Sequence, residues 1–236
     1  MPDPLGLLPR AWWSFSLPGF REHPEPGTYS PFAYDELPPI HVPSDPQFHW
    51  LLAKPVHDRW SLATNPYPDG SLPDLSNLPE LVADAGVSFP QSFAAFIQDR
   101  RLHGRIRSST ACLLELGVHL VASSDPMRGA LLHFLSDQQS CLHWCLLATT
   151  SRIHCVLVTA EPWGLLYSPG EPAPLELDLT EQKVWLCADS FEEFVYRFWL
   201  ENEIWFRVLR DRLPATDEEA AYLDHYRALG EQKAVR

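Results

Sequence analysis

Apolar and polar positions change rhythm along this chain, and each change marks a different kind of structure. Up to about residue 75 there is no period: prolines recur every few positions, with Trp12, Trp13, Trp50 and Trp60 between them. That density forbids long helices and interior strands. From Ser76 a helical period takes over. Leu78 to Ala85 carries Pro79 early and Gly86 at its end, the asymmetry of a short helix. Phe89, Phe93, Phe96 and Ile97 then fall on one face of a second helix opened by Pro90. Apolar runs of strand character follow at 109–116, 118–123, 130–136, 141–148, 153–160 and 183–188. Their separators, such as 136–140 and 149–152, are too short for crossover helices, so the pattern predicts antiparallel hairpins.

Two helices close the chain. Ser190-Phe-Glu-Glu193 is a capping box, and its helix is expected to run to about Arg212 on a stripe from Phe191 to Leu209. Thr216-Asp-Glu-Glu219 repeats the device for a helix through Leu229. The first of these helices is apolar around a wide arc, so it needs cover on more than one side, and the proline- and tryptophan-rich segment is a candidate for that cover. The chain thus divides into residues 1–75, an irregular extension packed on the domain, and residues 76–236, the domain itself. The alternative use of residues 1–75 is as a recruitment peptide for cellular partners.

Composition narrows the class. The 236 residues suit one sizeable domain, and 45% hydrophobic with 21% charged residues is not a disordered polymer. Sixteen of the 23 prolines lie within residues 1–80. With 31 acidic against 18 basic side chains the net charge is −13, which argues against direct binding of nucleic acid or of an anionic membrane. The five cysteines, odd in number and set in apolar runs, do not resemble a disulfide framework. Met1-Pro-Asp-Pro-Leu-Gly has no basic leader and apolar core, and no stretch approaches 18 apolar residues. The expectation is a reducing, cytoplasmic protein.

Three segments carry a family resemblance. Phe89-Pro90-Gln91-Ser92-Phe93-Ala94-Ala95-Phe96, following a short helix and Gly86, resembles the motif that opens the main helix of the SMI1/KNR4, or SUKH, superfamily. Phe134 to Gln139 with Cys141-Leu142-His143-Trp144 is similar to the central strands of bacterial members. Ser190 to Asn202 is similar to their C-terminal helix. Two stretches depart from the pattern. Residues 1–75 have no counterpart, and Gln98 to Gly104 stands where many members have an Asn-Gly-Gly-like turn. The resemblance implies an α+β fold, helices packed on a curved, mainly antiparallel sheet. It also implies a binding role: bacterial members are similar to immunity proteins that neutralise toxins, often nucleases, by direct contact. No catalytic residue and no cofactor comes with it.

Candidate chemistry is sparse. Cys141, His143 and Cys145 alternate along one strand, and a hairpin at 149–152 would add His154 to the same face. Zinc accepts such ligands, but residues four apart on a strand stand about 13 Å apart, too far for one tetrahedral ion to take both thiolates. A cysteine nucleophile with His143 or His154 and Asp137 can be drawn, yet no nucleophile turn, phosphate loop, metalloprotease helix or dinucleotide fingerprint accompanies it. A thiol- or metal-dependent enzyme is therefore the remaining alternative, and the reading taken is non-catalytic with no metal.

Charge is more informative. Residues 161–193 hold eight acids against Lys183, a net of −7. Glu161, Trp163, Tyr167, Glu171, Glu176, Asp178 and Glu181 form the candidate partner-binding set: carboxylates to steer a basic toxin, aromatic bodies to anchor it. The bland reading of the same residues is a solvated loop with ordinary capping glutamates. Arg100, Arg101, Arg105 and Arg107 form a counter-cluster, available for internal pairing or for a partner.

Overall fold

The computed structural model describes residues 4–23, 27–64, 78–116, 120–124, 128–151, 153–161, 177–180 and 182–234. In the N-terminal part, β1 (Ala11–Ser14) and β2 (Ser30–Ala33) form a short antiparallel pair with Pro31 opposite Trp13. A proline fits there because the strand is short and stands at an edge. Four helices follow: α1 (His49–Leu52), α2 (Leu78–Ala85), α3 (Gln91–Gln98) and α4 (Arg100–His103). Gly86, at φ +64°, ends α2 in the left-handed region, and the Val87 N–H closes back on the Val82 carbonyl.

The main sheet comprises β3 (Leu113–Leu114), β4 (Val121–Ser123), β5 (Gly129–Ser136), β6 (His143–Thr149), β7 (His154–Thr159) and β8 (Val184–Ala188). Every pairing is antiparallel: β3 and β4 both border β5, and β5, β6, β7 and β8 follow in order. Beyond β8 the N-terminal segment continues the sheet, with the Leu186 N–H donating to the Pro9 carbonyl at 2.9 Å. The chain closes with α5 (Phe191–Ile204), a π-helical segment (Trp205–Arg210) and α6 (Asp217–Ala234). The fold is α+β.

Both faces of the sheet are buried. Leu132, Phe134, Trp144, Leu146, Val156 and Val158 face the helices and belong to the main core. On the other face Leu131, Cys145, Leu147, Cys155, Leu157 and Leu186 pack with Leu8, Val121 and Leu179. A bulge between His133 and Leu135 turns both Phe134 and Leu135 into the main core. Helix α5 is buried around nearly its whole circumference, because the N-terminal segment covers what the sheet does not. Trp50 stands 5.1 Å from Tyr196 and 5.2 Å from Trp199, and Trp12 stands 5.8 Å from Phe194. Trp12, Leu17, Phe48 and Leu51 are all buried in the same core as Phe93 and Phe191.

That cover brings a charge inside. Glu201 of α5 accepts from Trp12 Nε1 at 2.9 Å, Ser14 Oγ at 2.7 Å, Tyr222 OH at 2.7 Å and both terminal nitrogens of Arg21 at 2.5 and 2.8 Å. Burial alone would raise the Glu201 pKa; the Arg21 guanidinium outweighs it and holds the carboxyl below its ordinary value. No helix among the described residues is long and apolar enough to cross a membrane. All five cysteines are free thiols.

Candidate functional site

The acidic segment is only partly described. Trp163, Tyr167, Glu171, Glu176 and Glu181 lie outside the described residues. Glu161 follows β7 and stands 3.8 Å from Lys183, which leads into β8. Asp178 accepts from the Thr180 backbone and hydroxyl at 2.9 and 2.6 Å, in a turn that follows the contact of Leu177 with β4. The register separates these two carboxylates. Leu177 meets β4 at the Gly129 end of β5, while Thr159 lies level with His143 and Ser136 at the other end. Seven strand residues separate those ends, on the order of 20 Å.

Further along, Asp189 holds Arg10 at 2.5 Å, and Glu193 accepts from Tyr34 OH at 2.6 Å. Glu193 also closes the cap of α5: its N–H donates to Ser190 Oγ, and its carboxylate accepts from the Asp189 N–H. Trp185 is half-buried against Trp13, 4.8 Å between centroids. The arginines likewise find partners inside the chain. Arg101 pairs with Asp99, Arg105 donates to the Lys54 carbonyl, and Arg107 grips Glu203 through two bonds at 3.0 and 2.6 Å.

The thiol and imidazole candidates do not converge. Cys141 is exposed in the turn before β6, whereas Cys145 is buried in the second core, where desolvation pushes its thiol pKa far up. His154 does not share the face of His143 and Cys145. It pairs with Ala148, and residues directly opposite in an antiparallel ladder point the same way. The hairpin's parity decides this: Cys155 and Leu157, not His154, join Cys145 on its face. The ring of His154 instead reaches the Ser88 carbonyl at 2.6 Å. Among the described residues, no group of three or more His, Cys, Asp or Glu side chains could hold a metal ion.

One unforeseen constellation resembles catalytic machinery. Ser136 Oγ lies 2.9 Å from His133 Nε2 and 3.1 Å from His143 Nδ1. All three side chains are buried. Desolvation pulls the His133 pKa down to about 3, with the neighbouring His143 adding to the effect, and desolvation lowers His143 too. Both rings are therefore neutral at pH 7. His133 Nε2 also stands 3.0 Å from the Leu135 carbonyl, so that nitrogen is a donor and not a base toward the serine; with no exposure to a substrate, the cluster binds the ends of β5 and β6 together.

What the surface does offer is a cleft of about 640 Å³, walled by Pro38, Pro39, Ile40 and His41 on one side and by α6 on the other, with Tyr196 and Leu200 of α5 at its base. Its size is that of a ligand-binding cleft. On α6 the cleft residues Glu218, Ala221, Tyr222 and His225 have helical spacing, so this face could be read in the sequence. The opposing wall, some 180 residues away in the chain, carries no such signal.

A second feature of the surface is Trp60, 47% exposed at φ +63°, with the Arg210 guanidinium 5.5 Å above its ring. Comparison with protein-family models, with curated proteins and with solved structures finds no match.

Proposed function

We propose that this chain is a non-catalytic protein-binding protein of the SUKH type, acting in the reducing cytoplasm as an immunity factor that neutralises a basic toxin by direct contact. One observation carries the reading. The three segments that resemble the superfamily meet ring to ring: Phe93 stands 5.9 Å from Phe134 and 5.1 Å from Phe191, and Phe134 stands 5.4 Å from Phe191. Motifs separated by up to a hundred residues thus supply one aromatic nucleus, as segments of one common fold would. The burial of Cys145, His133, Ser136 and His143 also favours binding over thiol or serine chemistry, since none of the four can meet a substrate. The net −7 of residues 161–193 supplies long-range attraction for a cationic partner, an effect that does not need one contiguous patch.

Co-expression with the product of the adjacent gene tests this. A stable complex that abolishes that product's toxicity is the expected result. Reversing charge at Glu171, Glu176, Asp178 and Glu181 is expected to slow association about tenfold or more and to flatten its salt dependence. A neighbouring product that neither binds nor is neutralised would sink the reading.

A further inference from the structure

We infer that the cleft between the Pro38–His41 strip and α6 receives an arginine-bearing extended segment of a partner protein. The inference rests on the protein-binding reading above and names where and how the contact is made. Its first support is the balance of donors and acceptors. Pro38 and Pro39 have no N–H, so the backbone donors of this wall are limited to Ile40 and His41, and the Pro38 carbonyl already accepts from Arg197. His225 Nε2 donates to the Glu36 carbonyl at 3.2 Å, which fixes that ring against the proline strip. Glu218, exposed on the rim, accepts from Tyr196 OH through one oxygen and keeps a second oxygen beside it.

Charge points the same way. Glu218 is the acidic member of the lining, and no lysine or arginine is among the lining residues. Arg197 approaches the lining from within the protein. It donates to the Pro38 carbonyl and to Tyr222 OH and stands 3.8 Å from Glu193, so its charge is already engaged. A groove whose charged acid is the Glu218 carboxylate, set beside the rings of Tyr196 and Tyr222, matches a guanidinium, which brings five N–H donors, a positive charge and a flat face for aromatic contact. The apolar bodies of Ile40, Leu200 and Ala221 accommodate the neighbouring side chains of the segment.

The test uses the full chain and two capped tripeptides, acetyl-Leu-Arg-Leu-amide and acetyl-Leu-Glu-Leu-amide, titrated into ¹⁵N-labelled protein. The arginine probe is expected to give saturable shifts at the amides of Ile40, His41, Ala221 and His225, and the glutamate probe none. Both test positions are exposed, so the fold tolerates them: Ala221→Trp fills the cleft and abolishes the shifts, and Glu218→Lys raises the dissociation constant about tenfold. Equal shifts with both probes, no saturable shift at millimolar arginine probe, or an Ala221→Trp variant that titrates like the parent would overturn the inference. Binding of the adjacent gene's product separates the two proposals. If that product binds parent and Ala221→Trp equally, the cleft is wrong and protein binding stands. If the arginine probe seats in the cleft and that product does not bind, the cleft stands and the immunity reading falls.

Discussion

A carboxylate without access to water is tolerable only where its lone pairs are filled, and at Glu201 five N–H and O–H groups do so. The Glu201→Gln variant removes the countercharge and leaves the Arg21 guanidinium buried and unpaired. A loss of about 3–5 kcal/mol is expected in urea unfolding at pH 7. Adding Arg21→Gln is expected to recover part of that loss, the mark of a coupled pair in a double-mutant cycle. Buried histidines set the response to acid. Desolvation lowers His103 to about 4 and His133 to about 3, both below the ordinary value of 6.5. The unfolded chain therefore binds protons first as pH falls. The stability held by each neutral ring is complete above pH 6.5 and is lost as pH drops from there toward the folded value. By pH 5 each ring costs on the order of 2 kcal/mol. Glu201 and Glu203, held below their ordinary values, add their losses only at lower pH. Urea midpoints measured from pH 7 to 5 are expected to fall steadily, and His133→Gln is expected to take its share out of that slope.

Elements were legible wherever local chemistry decides them. The apolar runs at 130–136, 141–148, 153–160 and 183–188 correspond to β5, β6, β7 and β8, and the two capping boxes stand at the starts of α5 and α6. Where a non-local partner decides, the sequence was silent. The β1–β2 pair exists because Ala11–Ser14 finds Ser30–Ala33 across a loop, with Pro31 inside the ladder. The helix expected to continue to Arg212 widens into π turns at Trp205, where the Asp211 N–H reaches back to the Phe206 carbonyl. A single glycine shows how tightly the sheet constrains its members. A Cβ added at Gly129 would overlap the Ala148 carbonyl of β6 and crowd the backbone of Thr149, with no flexible side chain there to yield. Gly129→Ala is expected to cost about 1–3 kcal/mol. Faster amide exchange at Ala148 and Thr149 than elsewhere in β6 would localise the damage, and an unchanged exchange pattern would count against this account.

At the scale of the whole molecule, the candidate site was far less legible than the fold. Glu161, Asp189 and Glu193 read as one acidic run, yet the chain spends them separately on Lys183, Arg10 and the α5 cap. Charge density is visible in a sequence; which charges are already answered is not. The same holds for the prolines. Residues 38–41 wall a cleft only because α6 arrives opposite them, and Trp12 and Phe48 are core only because α5 needs cover. This interdependence leads to a decisive truncation. Trp12, Leu17, Phe48 and Leu51 are each 0–1% exposed, and burial of side chains this size contributes about 1.5–3 kcal/mol apiece. Their sum is comparable to the roughly 5–15 kcal/mol that holds an ordinary domain together. Removing residues 1–60 also strips Glu201 of Trp12, Ser14 and Arg21, leaving a buried carboxylate with only Tyr222 of its present donors. Residues 61–236 are therefore expected to lose cooperative urea unfolding and the near-ultraviolet circular dichroism of packed tryptophans. A truncated chain with the parent's midpoint would mean that α5 closes its own core, and residues 1–60 would then be free for recruitment.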